Sequence, residues 1–323
     1  MLAAFRVLLW MVRVDCYSNA LKSEDDVHLP SRFHRTAPLE NLRMPFRTHA
    51  SLLAAILCLV SPALAADVEF PDTNLDTVVR EILKKHDVQK ADKSIKITED
   101  DLAKIFYLEA PNRGIENLSG LEKCRKLAQV VLTGNKIKDV NPLQECVDIQ
   151  LLDLAKNQIV DIGPLTKLTK LQYAELDDNQ IQKLDGIQNL KALGSLYLSR
   201  NQIESVQPLA EMTKLHAIYL DGNRISDISP LRALRWLERL DLKDNKISDI
   251  SAISQMTELR YTFLERNKLA ELTTLVEMAK KDIAGERRFA PYWNLYVDGN
   301  PLNEAGKSQL QELAKVGVRL NGK

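Results

Sequence analysis

The sequence predicts an α/β repeat solenoid: a curved stack of short parallel strands on a concave face, closed by a helical cap at each end. Two columns of residues carry this prediction because both recur every 22 positions. One is an asparagine column that runs without a slip from Asn135 to Asn267, and the other is an apolar column two positions behind it, from Ile137 to Leu269. A fixed period of this length is typical of stacked units that bury their apolar faces only against their neighbours.

The asparagine column is expected to be structural. Each asparagine follows a predicted strand at the point where the chain turns inward, so its buried amide needs polar partners. The nearest candidates are backbone groups of its own repeat and of the next repeat. We expect eight amides in register: Asn112, Asn135, Asn157, Asn179, Asn201, Asn223, Asn245 and Asn267.

A single unit, residues 193–209, shows the elements of the repeat. Its general form is LxxLxLxxNxIxxIxPL, in which the alternation of LxL predicts one short strand. Proline precedes leucine on the return side in four repeats, at Pro142, Pro164, Pro208 and Pro230, where it fixes a turn that needs no backbone donor.

These motifs resemble the 22-residue leucine-rich repeat of the bacterial internalins and of the eukaryotic regulatory subunit of protein phosphatase-1. The resemblance covers residues 66–323, and residues 105–275 follow the consensus closely. It implies a solenoid whose inward leucines form one continuous core and whose outward concave positions are available to a partner.

The N-terminus carries the pattern of a secretory signal. A basic stretch begins at Met44, an apolar run covers residues 52–60, and Ala63-Leu-Ala65 forms an A-x-A cleavage site. We therefore interpret 44–65 as a signal peptide and 1–43 as a disordered upstream over-extension of the reading frame. The exported chain would begin at Ala66.

The repeats are expected to end in caps that shield the terminal apolar layers. Residues 66–104 are predicted to be a helical N-terminal cap, with a helix over 74–85 and a capping box at Thr98. An insertion of 11 residues makes 276–302 an irregular last repeat, with a helix over 273–285 and a last strand at 295–297. In the C-terminal cap, 303–323, Asn303 is expected to begin a helix that Gly317 ends.

Charge and cysteine content narrow the classes of partner and chemistry. Residues 66–323 contain 37 Lys and Arg against 39 Asp and Glu, and a net charge of −2 argues against nucleic acid as a ligand. Cys124 and Cys146 occupy one apolar slot of consecutive repeats, close enough for a disulfide. Both side chains point inward in parallel, which favours free buried thiols.

The sequence offers no arrangement typical of catalysis or of metal binding. His86 and His216 are far apart in sequence, no Ser-His-Asp or Cys-His set is recognisable, and His216 is expected to be exposed. Asp177 and Asp178 could bind calcium, but without a DxDxDG-like loop a solvated repeat edge is the favoured reading. We therefore expect no enzymatic activity and no cofactor.

The outward positions that flank each LxL motif are the predicted binding face. Tyrosine there could reflect strand propensity alone, yet rigid rings with a polar tip are enriched at binding surfaces. An aromatic stripe is expected along Tyr197, Tyr219, Tyr261, Phe263 and Tyr296. The predicted partner-binding residues are Tyr173, Glu175, Tyr197, Tyr219, Asp221, Arg239, Asp241, Tyr261, Phe263 and Tyr296.

Two functions remain open from the sequence. The first is a secreted, monomeric protein-binding module in the periplasm or outside the cell, without stable membrane insertion. Its partner would be another protein, or an envelope polymer, held on the concave sheet. The second is an intracellular regulatory subunit of an enzyme such as a phosphatase, which requires that the signal peptide not be used.

Overall fold

The computed structural model describes residues 67–86 and 95–321. The predicted over-extension at 1–43, the signal peptide at 44–65 and its cleavage site lie outside the described residues. Within the described ranges no helix combines the length and the apolar content that a bilayer span requires.

The N-terminal cap consists of a small sheet and two helices. Strand β1 (Asp67–Val68) pairs antiparallel with β2 (Ile97–Thr98), helix α1 (Thr73–Lys85) lies between them in sequence, and α2 (Glu99–Leu102) follows β2. The capping box predicted at Thr98 is confirmed, because its hydroxyl accepts from Asp101 N and the Asp101 carboxylate accepts from Thr98 N.

Asp72 joins this cap to the first repeat. One carboxylate oxygen accepts from the Asn74 and Leu75 amides at the start of α1, and the other accepts from Glu116 N at 2.7 Å and Asn117 N at 3.0 Å. The apolar side of α1, which includes Leu75 and Leu83, is buried against the first repeat layer. The first repeat is thereby covered, as a solenoid end requires.

Ten parallel strands form the concave sheet, and each pairs in register with its neighbours in sequence order. The predicted α/β solenoid with short parallel strands is therefore confirmed. The strands are β3 (Tyr107–Glu109), β4 (Gln129–Val131), β5 (Leu151–Asp153), β6 (Tyr173–Glu175), β7 (Ser195–Tyr197), β8 (Ala217–Tyr219), β9 (Arg239–Asp241), β10 (Tyr261–Phe263), β11 (Asn294–Tyr296) and β12 (Arg319–Leu320).

Short 3-10 turns return the chain along the convex side. The four prolines predicted there lie at the start of four of these turns, where their missing N–H leaves no bond unmade. Leucine and isoleucine side chains fill the space between turns and sheet as one continuous core. The turns are Leu121–Lys123, Asn141–Glu145, Gly163–Lys167, Ile187–Asn189, Gln207–Leu209, Ser229–Ala233, Ser251–Gln255 and Ala290–Tyr292.

Buried asparagine amides connect successive repeats. Asn201 illustrates the contacts: its Nδ2 donates to Leu198 O of its own repeat at 3.1 Å and to Leu176 O at 3.0 Å, and its Oδ1 accepts from Ile181 N at 3.0 Å. Leu176 and Ile181 belong to the preceding repeat, so the expected contact with the next repeat was wrong. The side chain lies where the chain turns inward, and it packs over the backbone of the preceding repeat.

The first and last members of the predicted column also differ from expectation. Asn112 is exposed, has a positive φ of 57° and lies one residue before the register of Asn135, so it is not part of the stack. Asn300 takes the same role beyond the insertion: its Nδ2 donates to Leu264 O and Val297 O, and its Oδ1 accepts from Leu269 N. We call the observed set the asparagine ladder: Asn135, Asn157, Asn179, Asn201, Asn223, Asn245, Asn267 and Asn300.

The C-terminal end contains the expected insertion helix, α3 (Thr273–Ala284), and a final helix, α4 (Glu304–Lys315). Asn303 begins α4 by accepting from Gly306 N, and Gly317 follows it with a φ of 91°, as predicted. The strand expected to be last is β11. A further strand, β12, follows α4 and pairs with β11. A two-residue strand after a helix leaves too short an alternation to be recognised in sequence.

Cys124 and Cys146 are free, buried thiols, which confirms the preferred alternative over a disulfide. The Cys146 Sγ donates to Leu121 O at 3.1 Å. Burial raises the pKa of Cys146 to about 12 and also raises the pKa of Cys124. Both thiols therefore stay protonated and unreactive at neutral pH.

Candidate functional site

The predicted outward columns do lie on the concave side, but much of this face is shielded from solvent. Tyr173, Tyr197 and Tyr219 are only 2%, 8% and 8% exposed, so the expectation that they face solvent freely was wrong. The strands pair in register, which places equivalent side chains about 4.8 Å apart on the inner side of a curve. Large neighbouring rings consequently cover one another.

The first aromatic group is a stack across β6, β7 and β8. The ring centroids of Tyr173 and Tyr197 are 5.2 Å apart, and those of Tyr197 and Tyr219 are 4.3 Å apart with an interplanar angle of 12°. The Tyr173 hydroxyl donates to Glu175 Oε2 at 2.5 Å. These three rings are therefore packed against one another, and a partner could contact only their exposed edges.

The second aromatic group lies at the C-terminal end of the sheet and is more accessible. Tyr261 is 36% exposed, and Phe263 and Tyr296 are partly exposed. The Phe263 and Tyr296 rings stack with centroids 4.6 Å apart, and Tyr261 lies 6.5 Å from Phe263. We call these three residues the C-terminal aromatic stack.

Strand β9 separates the two aromatic groups, so the single stripe expected from the sequence does not form. Arg239 bridges the gap: its Nη1 donates to the Tyr219 hydroxyl at 2.8 Å, and its guanidinium lies 4.4 Å from the centroid of the Tyr261 ring. Lys243 pairs with Asp241 at 2.9 Å and lies 5.6 Å from the Phe263 ring centroid. Both cations therefore hold neighbouring rings in place.

The carboxylates of the face are also more buried than expected. Glu175, Asp177, Asp221 and Asp241 are all less than 10% exposed, so the solvated edge predicted at Asp177 was wrong. Asp177 accepts from Ser199 N at 2.7 Å. Hydrogen bonds and cations from the adjacent strands replace the lost water around these groups.

Arg200 supplies much of this compensation. Its guanidinium nitrogens lie 2.5 Å from a carboxylate oxygen of Asp178, 3.3 Å from one of Asp221 and 3.7 Å from one of Asp177. We did not identify it from the sequence, although a signal was present. Arg266 pairs with Asp244 in the same way, and in both pairs the arginine follows the aspartate by one repeat of 22 residues.

Burial raises the pKa of Asp177 to about 7 despite the Ser199 hydrogen bond, and raises the pKa of Asp241 to about 6 despite Lys243. The ordinary pKa of an aspartate is 3.8. Between this pH and the raised pKa values, the folded protein therefore binds more protons than the unfolded chain. The free energy of unfolding therefore falls as the pH rises through this window. Hydrogen bonding to Arg200 lowers the pKa of Asp178. Asp178 therefore makes the free energy of unfolding rise with pH, but only below its ordinary pKa.

Within residues 67–86 and 95–321, no group of His, Cys, Asp and Glu side chains is arranged to hold a metal ion. His86 and His216 are both exposed, as expected for His216. What the face offers instead is stacked rings, paired cations and hydrogen-bonded carboxylates, all fixed on short strands.

Comparison with known proteins agrees with the predicted repeat class. The family described as leucine-rich repeats (2 copies) matches residues 169–211, 192–233 and 213–255. No curated relative matches the chain.

Many solved structures are similar to the chain, among them the following two. Internalin C2 from Listeria monocytogenes is 28% identical, with a TM-score of 0.59 over 65% of this chain and 90% of that one. A leucine-rich repeat protein from Leptospira interrogans is 22% identical, with a TM-score of 0.55 over 62% of this chain and 50% of that one, a similarity of fold alone.

Proposed function

We propose that this internalin-like leucine-rich repeat protein is exported and holds a partner protein against its concave face. Repeat solenoids of this kind are interaction modules, because their curvature produces an extended surface that one partner can contact over many repeats. The proposal adds two things to that general role: the compartment and the part of the face that makes contact.

The C-terminal aromatic stack is the observation that carries the choice of surface. Its three rings are reachable from solvent, and their neighbours already hold them in one arrangement. Aromatic and arginine side chains dominate binding energy in protein interfaces. Side chains that are ordered before binding lose little conformational entropy on contact, which favours affinity.

The charges beside the stack indicate the complementary surface. Glu265 and Asp298 flank it at the ends of β10 and β11, and Asp298 is exposed. One carboxylate oxygen of Glu265, Oε2, is buried without a hydrogen-bond partner among the described residues. A partner with an apolar anchor and a basic rim would cover the rings and complement the charge of these carboxylates.

The buried tyrosines take a supporting part in this proposal. Tyr219, which stacks on Tyr197, accepts a hydrogen bond from Arg239, and the Arg239 guanidinium lies over the Tyr261 ring. Of the predicted binding residues, we therefore propose that Tyr261, Phe263 and Tyr296 make the main contact. The buried carboxylates help to hold the shape of the face; they belong to Glu175, Asp221 and Asp241.

Export rests on the signal pattern of residues 44–65, with either the periplasm or the extracellular space as destination. An oxidising compartment is compatible with two free thiols here, because both are buried and their pKa values are raised. An intracellular regulatory subunit would have to keep an apolar run and a cleavage site without using them. We propose a monomer without cofactor or catalytic activity.

Affinity capture from envelope and culture extracts tests the surface. The full chain, produced in an exporting host, serves as bait beside a Tyr261→Ala/Tyr296→Ala double variant. Tyr292→Ala is the matched control, because Tyr292 is 54% exposed and lies outside the concave strands. Lys167→Ala and Lys191→Ala are controls on the convex side.

We expect the double variant to lose its partner and the three controls to retain it. Circular dichroism should show that all variants remain folded, since the two replaced tyrosines are only partly buried. Retention of the partner by the double variant, with loss by either lysine control, would place the functional surface on the convex side.

A further inference from the structure

The repeat at 229–250 departs from the others on its convex edge. Trp236 is 63% exposed there, so its indole contributes little to the core. The repeat pattern does not demand an aromatic residue at this position, because all the equivalent positions carry polar residues or alanine. Those positions, spaced by 22 residues, are Lys126, Asp148, Lys170, Ala192, Lys214 and Glu258.

An open groove of about 500 Å³ lies between the 3-10 turns Ser229–Ala233 and Ser251–Gln255, and Arg235, which precedes Trp236 in the chain, lines it. Two small residues, Ala233 and Ala252, line it. In the other repeats, the position of Ala233 carries a long or polar side chain: Lys123, Glu145, Lys167, Asn189, Glu211 or Gln255. The position of Ala252 carries Gly120, Pro142, Pro164, Gly186, Pro208 or Pro230.

Two arginines give the groove a positive charge, and most of its exposed lining is apolar. Arg232 and Arg235 line it together with Ser251, Ser254 and Gln255. In the described part of the chain, neither arginine forms a salt bridge. Arg232 donates its Nε to Ser229 O at 3.1 Å, which fixes the side chain and leaves the two Nη groups for other partners.

The nearby carboxylates do not neutralise these arginines by contact. Asp227 accepts hydrogen bonds from Ser229 N and Oγ, and Asp249 accepts from Ser251 N and Oγ. Two guanidinium groups at the rim of one groove can therefore each take a carboxylate in a two-point hydrogen bond. This charge pattern complements an anionic ligand.

We propose that the groove and Trp236 form a second binding surface, on the convex edge, for an acidic segment of a protein. Carboxylates of that segment pair with Arg232 and Arg235, and an apolar side chain beside them packs on the Trp236 indole. Tryptophan and arginine are the residues most enriched among those that dominate protein interfaces. An exposed indole next to paired guanidiniums suits a peptide in which acidic and apolar residues adjoin.

This surface is independent of the partner proposed for the concave face. The 3-10 turns lie on the side of the core away from β9 and β10, so both surfaces can be occupied at once. Loss of binding at one would leave the other intact. The protein would then connect two ligands through one rigid solenoid.

Fluorescence anisotropy with the full chain tests the proposal. The probe is a labelled peptide with four glutamates around a leucine and a phenylalanine, compared with the same peptide carrying glutamines. We expect Arg232→Gln and Arg235→Gln each to weaken binding about tenfold, as for loss of a charge-assisted hydrogen bond. Trp236→Ala should weaken it to a similar degree, and added salt should weaken it in the parent protein.

Arg125→Gln is the matched control, because Arg125 occupies the same repeat position as Arg235 and is also exposed, but does not line this groove. A second pair of variants, Ala233→Gln and Ala252→Pro, restores residues found at these positions in other repeats. Both should weaken binding by filling the groove without lowering the melting temperature.

Several outcomes would overturn the proposal. They are absence of peptide binding, equal binding of the glutamine peptide, or an effect of Arg125→Gln as large as that of Arg235→Gln. Tighter, arginine-dependent binding of an acidic polysaccharide such as dextran sulfate, unaffected by Trp236→Ala, would show a general anion site in place of a peptide site.

Discussion

Replacement of Asn201 by alanine should destabilise the solenoid through one identifiable backbone group. Asn201 is 7% exposed, and its Oδ1 is the acceptor for Ile181 N. Within the described residues, that N–H donates to no backbone carbonyl. The substitution would therefore leave a buried donor without a partner.

The three carbonyls that accept from Asn201 Nδ2 are better protected. Leu176 O also accepts from Asn179 Nδ2, Leu198 O from Asn223 Nδ2, and Ser199 O from Asp178 N. Each keeps one hydrogen bond when Asn201 is removed, because the asparagine ladder shares its acceptors between neighbours. The main cost is thus one unsatisfied N–H, so Asn201→Ala should lower the free energy of unfolding by about 1–3 kcal/mol.

Asn201→Asp separates the donor and acceptor roles of this side chain. A carboxylate keeps the acceptor for Ile181 N but places a charged oxygen against the Leu176 and Leu198 carbonyls. We expect it to be less stable than Asn201→Ala at pH 7, and to recover at low pH, where a protonated carboxyl can again donate.

Urea unfolding followed by circular dichroism gives the comparison, with midpoints and slopes analysed together. Asn189→Ala is the control, because Asn189 is exposed and its side chain forms no hydrogen bond within the described part of the chain. If Asn201→Ala and Asn189→Ala unfold at the same midpoint, with equal slopes, the reasoning about the ladder is refuted.

Three further predictions concern pH, thiols and export. The melting temperature should fall as the pH is raised from about 5 to 8, because the pKa values of Asp177 and Asp241 are raised to about 7 and about 6. An Asp177→Asn/Asp241→Asn variant should show a flatter dependence of melting temperature on pH. An unchanged slope in this variant would contradict the prediction. Cys124 and Cys146 should react with a thiol reagent only after unfolding in denaturant, so labelling of the native protein at neutral pH would show that they are accessible. N-terminal sequencing of the exported protein should begin at Ala66; recovery of residues 1–43 would contradict the signal-peptide interpretation.

The repeat register was predictable because it is a property of spacing. The 22-residue period placed the strands correctly and identified Asn135 to Asn267 as buried amides. It failed at Asn112, which is one residue out of register, and missed Asn300, which the inserted helix α3 displaces from the period. The direction of the ladder was also missed, since spacing does not tell which neighbouring repeat a side chain leans toward.

The candidate site was predictable only as a set of positions. Alternation along a strand shows which face a side chain occupies, and Tyr197 and Tyr219 are on the concave face as expected. It does not show how closely rings on adjacent strands cover one another when the sheet curves inward, so their burial was missed. The break in the aromatic stripe follows from Arg239 and Asp241, whose contacts depend on three-dimensional distances across strands.

The central claim is that a partner covers the C-terminal aromatic stack, and hydroxyl-radical footprinting of the complex tests it most directly. Oxidation of Tyr261, Phe263 and Tyr296 should slow when the captured partner is bound, because these rings are at least partly exposed in the free protein. Tyr292, which is 54% exposed outside the concave strands, should be oxidised at the same rate in both states. Protection of Tyr292 with unchanged oxidation of Tyr261 and Tyr296 would contradict the account.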